Sequence, residues 1–246
     1  MMDILEWGKE NIKFVGNSKT NKSDRRRRIP EMIVNHISEG SISSMISWFT
    51  SPNNTGSSAH FGVSKKGEIY QFVAIEDCAW ANGLTSGIEN ATSELVLRRG
   101  KDVNPNWYSV SIEHEGVWAE TKGSLTPAQL EATKQLHKYI IAYVKDKYGY
   151  EIEPSRKTIV GHFEIDKKER PNCPGELFPF DEIISYLNEG LPFSDIGGHW
   201  AKDLIIKAHE EGWVKGYPDG TFQPDKPMTR AESVALVMAA IKKAPG

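Results

Sequence analysis

The sequence predicts an α/β protein: a central mixed β-sheet flanked by helices, followed by a small all-α helical module. Short runs rich in Ile and Val alternate with amphipathic stretches of helical period, the pattern of strands and helices packed in layers. Two of these runs are separated only by the turn residues Lys65-Lys66-Gly67, so part of the sheet is an antiparallel hairpin. From about Phe193 the pattern changes to two helical stretches around a loop dense in turn residues.

Ahead of the first strong strand, Arg25–Arg28 reads either as a solvated loop or as an anion-binding patch. Residues 31–37 and 158–162 are short and β-branched and are expected to be buried strands. AHFGVSKKGEIYQFV (59–73) is the hairpin, and the polar stretch 83–106 is expected to be a surface loop. YSVSIEHEG (108–116) alternates as a strand does. Val110, Ile112 and His114 fall on one face, with Ser111, Glu113 and Glu115 on the other. The clearest helix covers 127–148. Thr126 caps it, Pro127 fits its first position, and Gln129 is expected to complete a capping box. Ala132, Leu136, Tyr139 or Ile140, Tyr143 and Val144 recur at helical spacing before the stop at Gly149. In the second module, 199–211 and 229–243 read as helices, with Thr229 and Glu232 as a capping box. About 50 residues in two helices bury little surface alone, so this module is expected to lean on a partner. Domains are placed at 1–190 and 191–246.

Composition bounds the function. The formal net charge of −3 over 246 residues does not fit a nucleic-acid binder. No apolar run reaches membrane-spanning length, so no membrane insertion is expected. Cys78 and Cys173 could form one disulfide but make no disulfide framework, and Cys78 reads most simply as a small buried hydrophobe.

The chemistry lies in His36 and His162, which end apolar runs, and Cys173, which opens the turn NCPG. Zn²⁺ takes imidazole nitrogen and thiolate sulfur, and three protein ligands plus one water make a catalytic site. A carboxylate then serves as general base and acid; Glu113 and Glu115 point the same way along their strand, and local patterning leaves both open. His60 reads as a ligand, a substrate contact or a structural histidine, whereas His137, His199 and His209 read as structural or surface residues.

IVNH (33–36), SSAHFGVSKKGEIYQFV (57–73), SVSIEHEG (109–116) and IVGHFEIDKKERPNCPG (159–175) together resemble the zinc-dependent N-acetylmuramoyl-L-alanine amidases. That family shares its fold with peptidoglycan recognition proteins and includes phage endolysins and bacterial autolysins. The resemblance covers roughly residues 28–187. It implies His36, His162 and Cys173 as Zn²⁺ ligands and Glu113, rather than Glu115, as the catalytic acid/base. It implies a substrate groove lined by Trp80 and Asn82; His60 is assigned beside them as a substrate contact from its own position at the start of the hairpin. The bond cleaved would join the lactyl group of N-acetylmuramic acid to L-alanine of the stem peptide. The chain departs from the family pattern at Ala59, a tyrosine in some relatives. It departs again at Pro171, where many relatives carry a lysine that would stabilise the oxyanion; Arg170 and Lys168 are the available substitutes.

FSDIGGHWAKDLI (193–205) and GYPDGTFQPDKPMTRAE (216–232) resemble an S-layer homology module. The resemblance implies secondary cell-wall polysaccharide as partner, with Arg230 meeting its acidic groups in the first turn of a helix. Trp200 would stack on sugar or pack the helices. Such modules usually come in threes and this chain has one, which leaves three readings open: weak binding, self-association, or a remnant of a longer protein. The N-terminus shows no basic segment followed by an apolar stretch, which predicts no signal peptide. An endolysin made in the cytoplasm and acting at the wall after release is the expectation. The rival readings are a non-catalytic peptidoglycan-binding protein and a zinc peptidase cutting within the stem peptide.

Overall fold

A computed structural model describes residues 3–193, 195–197 and 199–243. The chain divides into two units, one of Met1–Ile152 with Arg156–Leu187 and one of Glu153–Ser155 with Asn188–Gly246.

In the larger unit, one mixed sheet is built from β1 (Ile12–Phe14), β2 (Met32–Ile37), β3 (Phe61–Val63), β4 (Ile69–Gln71), β5 (Ser109–His114) and β6 (Ile159–Gly161). Its order is β1-β4-β3-β5-β2-β6. The β3–β4 hairpin is antiparallel and every other neighbouring pair is parallel. The helices of this unit are α1 (Ile4–Asn11), α2 (Ile42–Phe49), α3 (Glu94–Arg99), α4 (Trp118–Thr121), α5 (Pro127–Tyr148), α6 (His162–Ile165) and α7 (Phe180–Leu187).

Both faces of the sheet are covered, which is why its central strands read as almost unbroken apolar runs. On one face Ile33, Val110 and Ile112 pack against Leu136, Ile140 and Val144 of α5. On the other, Met32, Val34 and Val160 pack against Leu95 and Val96 of α3. Beside them, Met45 and Phe49 of α2 meet Phe72. Gly62 of β3 permits that approach, since a Cβ there would stand 2.6 Å from Met45 Sδ.

Several expectations change. The strand expected over 158–162 stops at Gly161, and His162 opens α6. The stretch 83–106 is no plain surface loop. It contains α3, where Leu95 and Val96 of the apolar run Leu95–Leu97 are buried and Leu97 is exposed, a run too short to show a helical period. The cap of α5 is half a capping box: Thr126 accepts from the Gln129 N–H. The Gln129 amide instead donates to the Val63 and Glu115 carbonyls at 3.1 and 3.0 Å, tying the helix to the sheet. Arg25 is neither solvated nor part of an anion patch. It is 3% exposed, with Nε donating to the Ile75 carbonyl and Nη1 to those of Trp107 and Ser109.

The smaller unit contains α8 (Lys202–Glu210) and α9 (Arg230–Lys243). Phe193, Ile196 and Ile205 form its core, flanked by Val214 and Phe222. Here the capping box is complete: Thr229 N–H donates to Glu232, and Glu232 N–H donates to Thr229 Oγ1. Trp200 is 85% exposed, so it does not pack the helices.

Candidate metal centre and active site

Ligands bind outside the carboxyl ends of strands in open α/β sheets. The strands β2, β5 and β6 run parallel there, and their pleat selects which side chains face together. His36 and Glu113 are direct partners in the β2–β5 register. Gly161 pairs with Asn35, so His162 leaves β6 at the level of His36. Cys173 arrives on the loop after α6, where its carbonyl accepts from the Phe163 N–H at 2.9 Å. The Ile37 N–H lies 3.4 Å from its sulfur.

The donor atoms of His36, His162 and Cys173 lie within 4.8 Å of one another. His36 Nδ1 is 3.8 Å from Cys173 Sγ, near the roughly 3.5 Å edge set by two bonds of 2.0–2.3 Å to one tetrahedral ion. The two imidazoles meet edge to face with centroids 4.5 Å apart. The residues present therefore fit a small metal ion with nitrogen and sulfur ligands.

The orientation of His36 follows from a chain of hydrogen bonds. Ser109 Oγ donates to the Pro105 carbonyl at 2.7 Å, so it accepts from Asn82 Nδ2 at 2.7 Å. Asn82 Oδ1, 2.8 Å from His36 Nε2, is then an acceptor, and the proton of His36 sits on Nε2. The Nδ1 lone pair is left facing Cys173. Fixing a ligand's tautomer through its distal nitrogen is a general device of metal sites.

Burial holds His36 well below the usual histidine range, with the His162 charge acting in the same direction. Burial likewise lowers His162 to about 4. Both rings are therefore neutral, the form that binds metal. Burial and the Glu113 carboxylate push the Cys173 thiol up, so its proton leaves only when a cation takes its place. Glu113 is pushed up to about 7 by burial, against the pull of Arg170. Its Oε1 is 3.9 Å from His36 Nδ1. Its Oε2 is buried with no hydrogen-bond partner. Glu115, the competing carboxylate, accepts from the Lys65 N–H at the hairpin turn.

A cleft of about 720 Å³ opens onto these residues, lined by His36 and Glu113 on their strands, by His162 and Cys173, and by Trp80 and Arg170. Arg170 is the one Lys or Arg side chain among the described lining residues, and Lys168 is not among them. Two residues expected in the groove lie elsewhere. Asn82 is 1% exposed, behind His36 rather than beside substrate. His60, also 1% exposed, is enclosed by Ser111 on Nδ1 and by Arg25 and the Asp77 carbonyl on Nε2. Sequence reasoning missed Asp166, whose carboxylate accepts from the Thr85 and Ser86 N–H groups at 3.0 Å, joining two cleft loops. Nothing in IDKKER distinguishes that aspartate.

The family model for N-acetylmuramoyl-L-alanine amidase matches residues 25–176, and that for the S-layer homology domain matches residues 192–232. An S-layer homology domain implies association with the cell wall. Among curated proteins, the chain is similar to N-acetylmuramoyl-L-alanine amidase A of Achromobacter lyticus, 27% identical over 64% of this chain and 83% of that protein. It is 47% identical to a cellulosome-anchoring protein of Acetivibrio thermocellus over 35% of this chain. The chain spans only 20% of that protein, and 2% of cell surface glycoprotein 1 from the same organism. Among solved structures, the crystal structure of an AmpD derivative superposes with a TM-score of 0.53 at 20% identity, over 72% of this chain and 94% of that one. The shared sheet and the extent of the family match, more than half the sequence, lead to one conclusion: the chain belongs to the N-acetylmuramoyl-L-alanine amidase family.

Proposed function

We propose that residues 1–190 hydrolyse peptidoglycan at the amide between the lactyl group of N-acetylmuramic acid and the L-alanine of the stem peptide. The observation that carries this reading is a buried, unpartnered carboxylate oxygen on Glu113 beside the His36–His162–Cys173 cluster. His36 through Nδ1, His162 and Cys173 would hold Zn²⁺. When bound, the ion would polarise the scissile carbonyl and lower the pKa of a water. Glu113, whose carboxyl pKa burial raises in the metal-free protein, would take a proton from that water and pass it to the leaving nitrogen. Arg170, the one Lys or Arg among the described cleft-lining residues, would add positive charge for the developing oxyanion in place of a lysine at Pro171. Residues 191–246 would hold the enzyme on secondary cell-wall polysaccharide, with Arg230 on its acidic groups and exposed Trp200 against its sugars.

Mass spectrometry of digested peptidoglycan tests this directly. Glycan with unsubstituted lactyl groups, together with intact stem peptides beginning at L-alanine, is the expected product. Fragments cut inside the peptide would overturn it in favour of a peptidase. No digestion by zinc-loaded protein would leave a binding protein.

A further inference from the structure

We infer that Trp48 and Trp80 form a saccharide platform in the cleft, taking pyranose rings of the glycan strand next to the muramoyl residue being cleaved. This rests on the peptidoglycan reading above. Among the described residues of the larger unit, the exposed large apolar side chains are Phe14, Trp48, Trp80, Leu97 and Leu177. The two tryptophans are the ones that line the cleft. Trp48 lies on α2, whose Met45 and Phe49 face the core at 5% and 8% exposure while Trp48 is 50% exposed.

Both rings are held by their edges. Trp48 Nε1 donates to Ser57 Oγ at 3.0 Å, and Trp80 Nε1 to Ser23 Oγ at 3.2 Å. Ser58, next to Ser57, closes a two-way link with Trp80: its N–H donates to the Trp80 carbonyl, and its Oγ accepts from the Trp80 N–H at 2.8 Å. Asn54 fixes the same segment, accepting from the Ser57 N–H and donating to the Ser57 carbonyl. The two tryptophans thus flank one short, internally bonded segment, with their N–H groups satisfied and the residues 50% and 37% exposed. An aromatic ring fixed in advance loses little conformational freedom on binding. Pyranose rings present C–H faces suited to an indole, with hydroxyl groups around the rim. The platform carries no charge, which fits neutral N-acetylhexosamines rather than the acidic stem peptide.

The enzyme should therefore prefer substrate embedded in a glycan strand over a lone muramoyl peptide. Two measurements on the full chain test it. In the first, an N-acetylglucosamine tetramer titrated into zinc-free protein should quench tryptophan fluorescence to saturation, with the amplitude reduced in Trp48→Phe. In the second, Trp48→Ala and Trp80→Ala should each lower the ratio of kcat/KM on glycan-linked substrate to that on N-acetylmuramoyl peptide by about tenfold, through KM. An unchanged ratio in both variants, or no quenching of the wild-type protein, would overturn the platform. Because the quenching needs neither zinc nor turnover, it remains informative if wild-type digestion shows a different bond cut.

Discussion

Asn82 determines what His36 can do, and it does so from outside the cleft. The Ser109–Asn82–His36 chain places the imidazole proton on Nε2 and the lone pair toward Cys173. Asn82→Ala should therefore weaken zinc binding by about 10–100-fold, measured by competition with a chelator, while substrate KM in saturating zinc changes little. A large KM effect at full zinc loading would return Asn82 to the groove. Zinc uptake near pH 7 should release about one proton per metal, from Cys173, plus the fraction still on Glu113. Both histidines are neutral beforehand, so they contribute none. Calorimetry in buffers of different ionisation enthalpy gives the count, and Cys173→Ala should lose the thiol's share. Glu113→Gln should keep zinc stoichiometry and lose about 10²–10⁴ in kcat; full turnover in that variant would remove Glu113 from the chemistry. At this scale the cluster was legible because His, His, Cys and Glu stand in quotable blocks. The roles of Asn82 and His60 were not, because a block shows that a residue accompanies the site without showing whether it faces solvent or the protein interior.

Helix α5 and strand β5 share a polar network inside an otherwise apolar layer. His114 Nδ1 donates to the His36 carbonyl, His114 Nε2 meets Thr133 Oγ1, and His137 Nδ1 donates to the Thr133 carbonyl. Burial lowers His114 to about 3 and His137 to about 4. Unfolded, both would titrate near 6.5, so below that pH the unfolded chain binds more protons than the folded one. Stability is then level above about pH 6.5 and falls toward pH 4, by at most roughly 2–3 kcal/mol per pH unit for two groups. Urea midpoints between pH 7.5 and 4.5 should show this decline, with a shallower slope in His137→Leu; an unchanged slope in that variant would show that His137 does not carry it. The helix itself was readable from Thr126, Pro127 and Gly149, local signals that tertiary contacts did not override. Gln129 was misassigned because the capping-box pattern describes a helix end in isolation. Here the nearby Val63 and Glu115 carbonyls compete for its amide and win. The stretch 83–106 was misread for a related reason: two buried apolar residues suffice to seat a helix of six residues, too short to set a period.

The second unit poses a question that only intact molecules answer. Val234, Val237, Met238 and Ile241 of α9 are exposed at 63%, 54%, 51% and 63%. Their spacing of i, i+3, i+4 and i+7 puts them on one side of the helix. A stripe of that kind is costly to leave in water, and of the readings open for a lone module it fits self-association. Joining several copies would also strengthen wall binding: each copy raises the effective concentration of the next, so modest single-module affinities multiply. The capping box at Thr229–Glu232 keeps Arg230 in the first turn of the same helix, where an anion is favoured. Association and polymer contact should then separate by mutation. Val237→Glu in the full chain should shift sedimentation toward the monomer and reduce retention on purified, protein-free wall. Arg230→Ala should reduce retention while leaving the sedimentation unchanged. A wild-type chain that stays monomeric at every concentration, yet binds wall as tightly as Val237→Glu, would show that one module suffices and that α9's apolar side has another use.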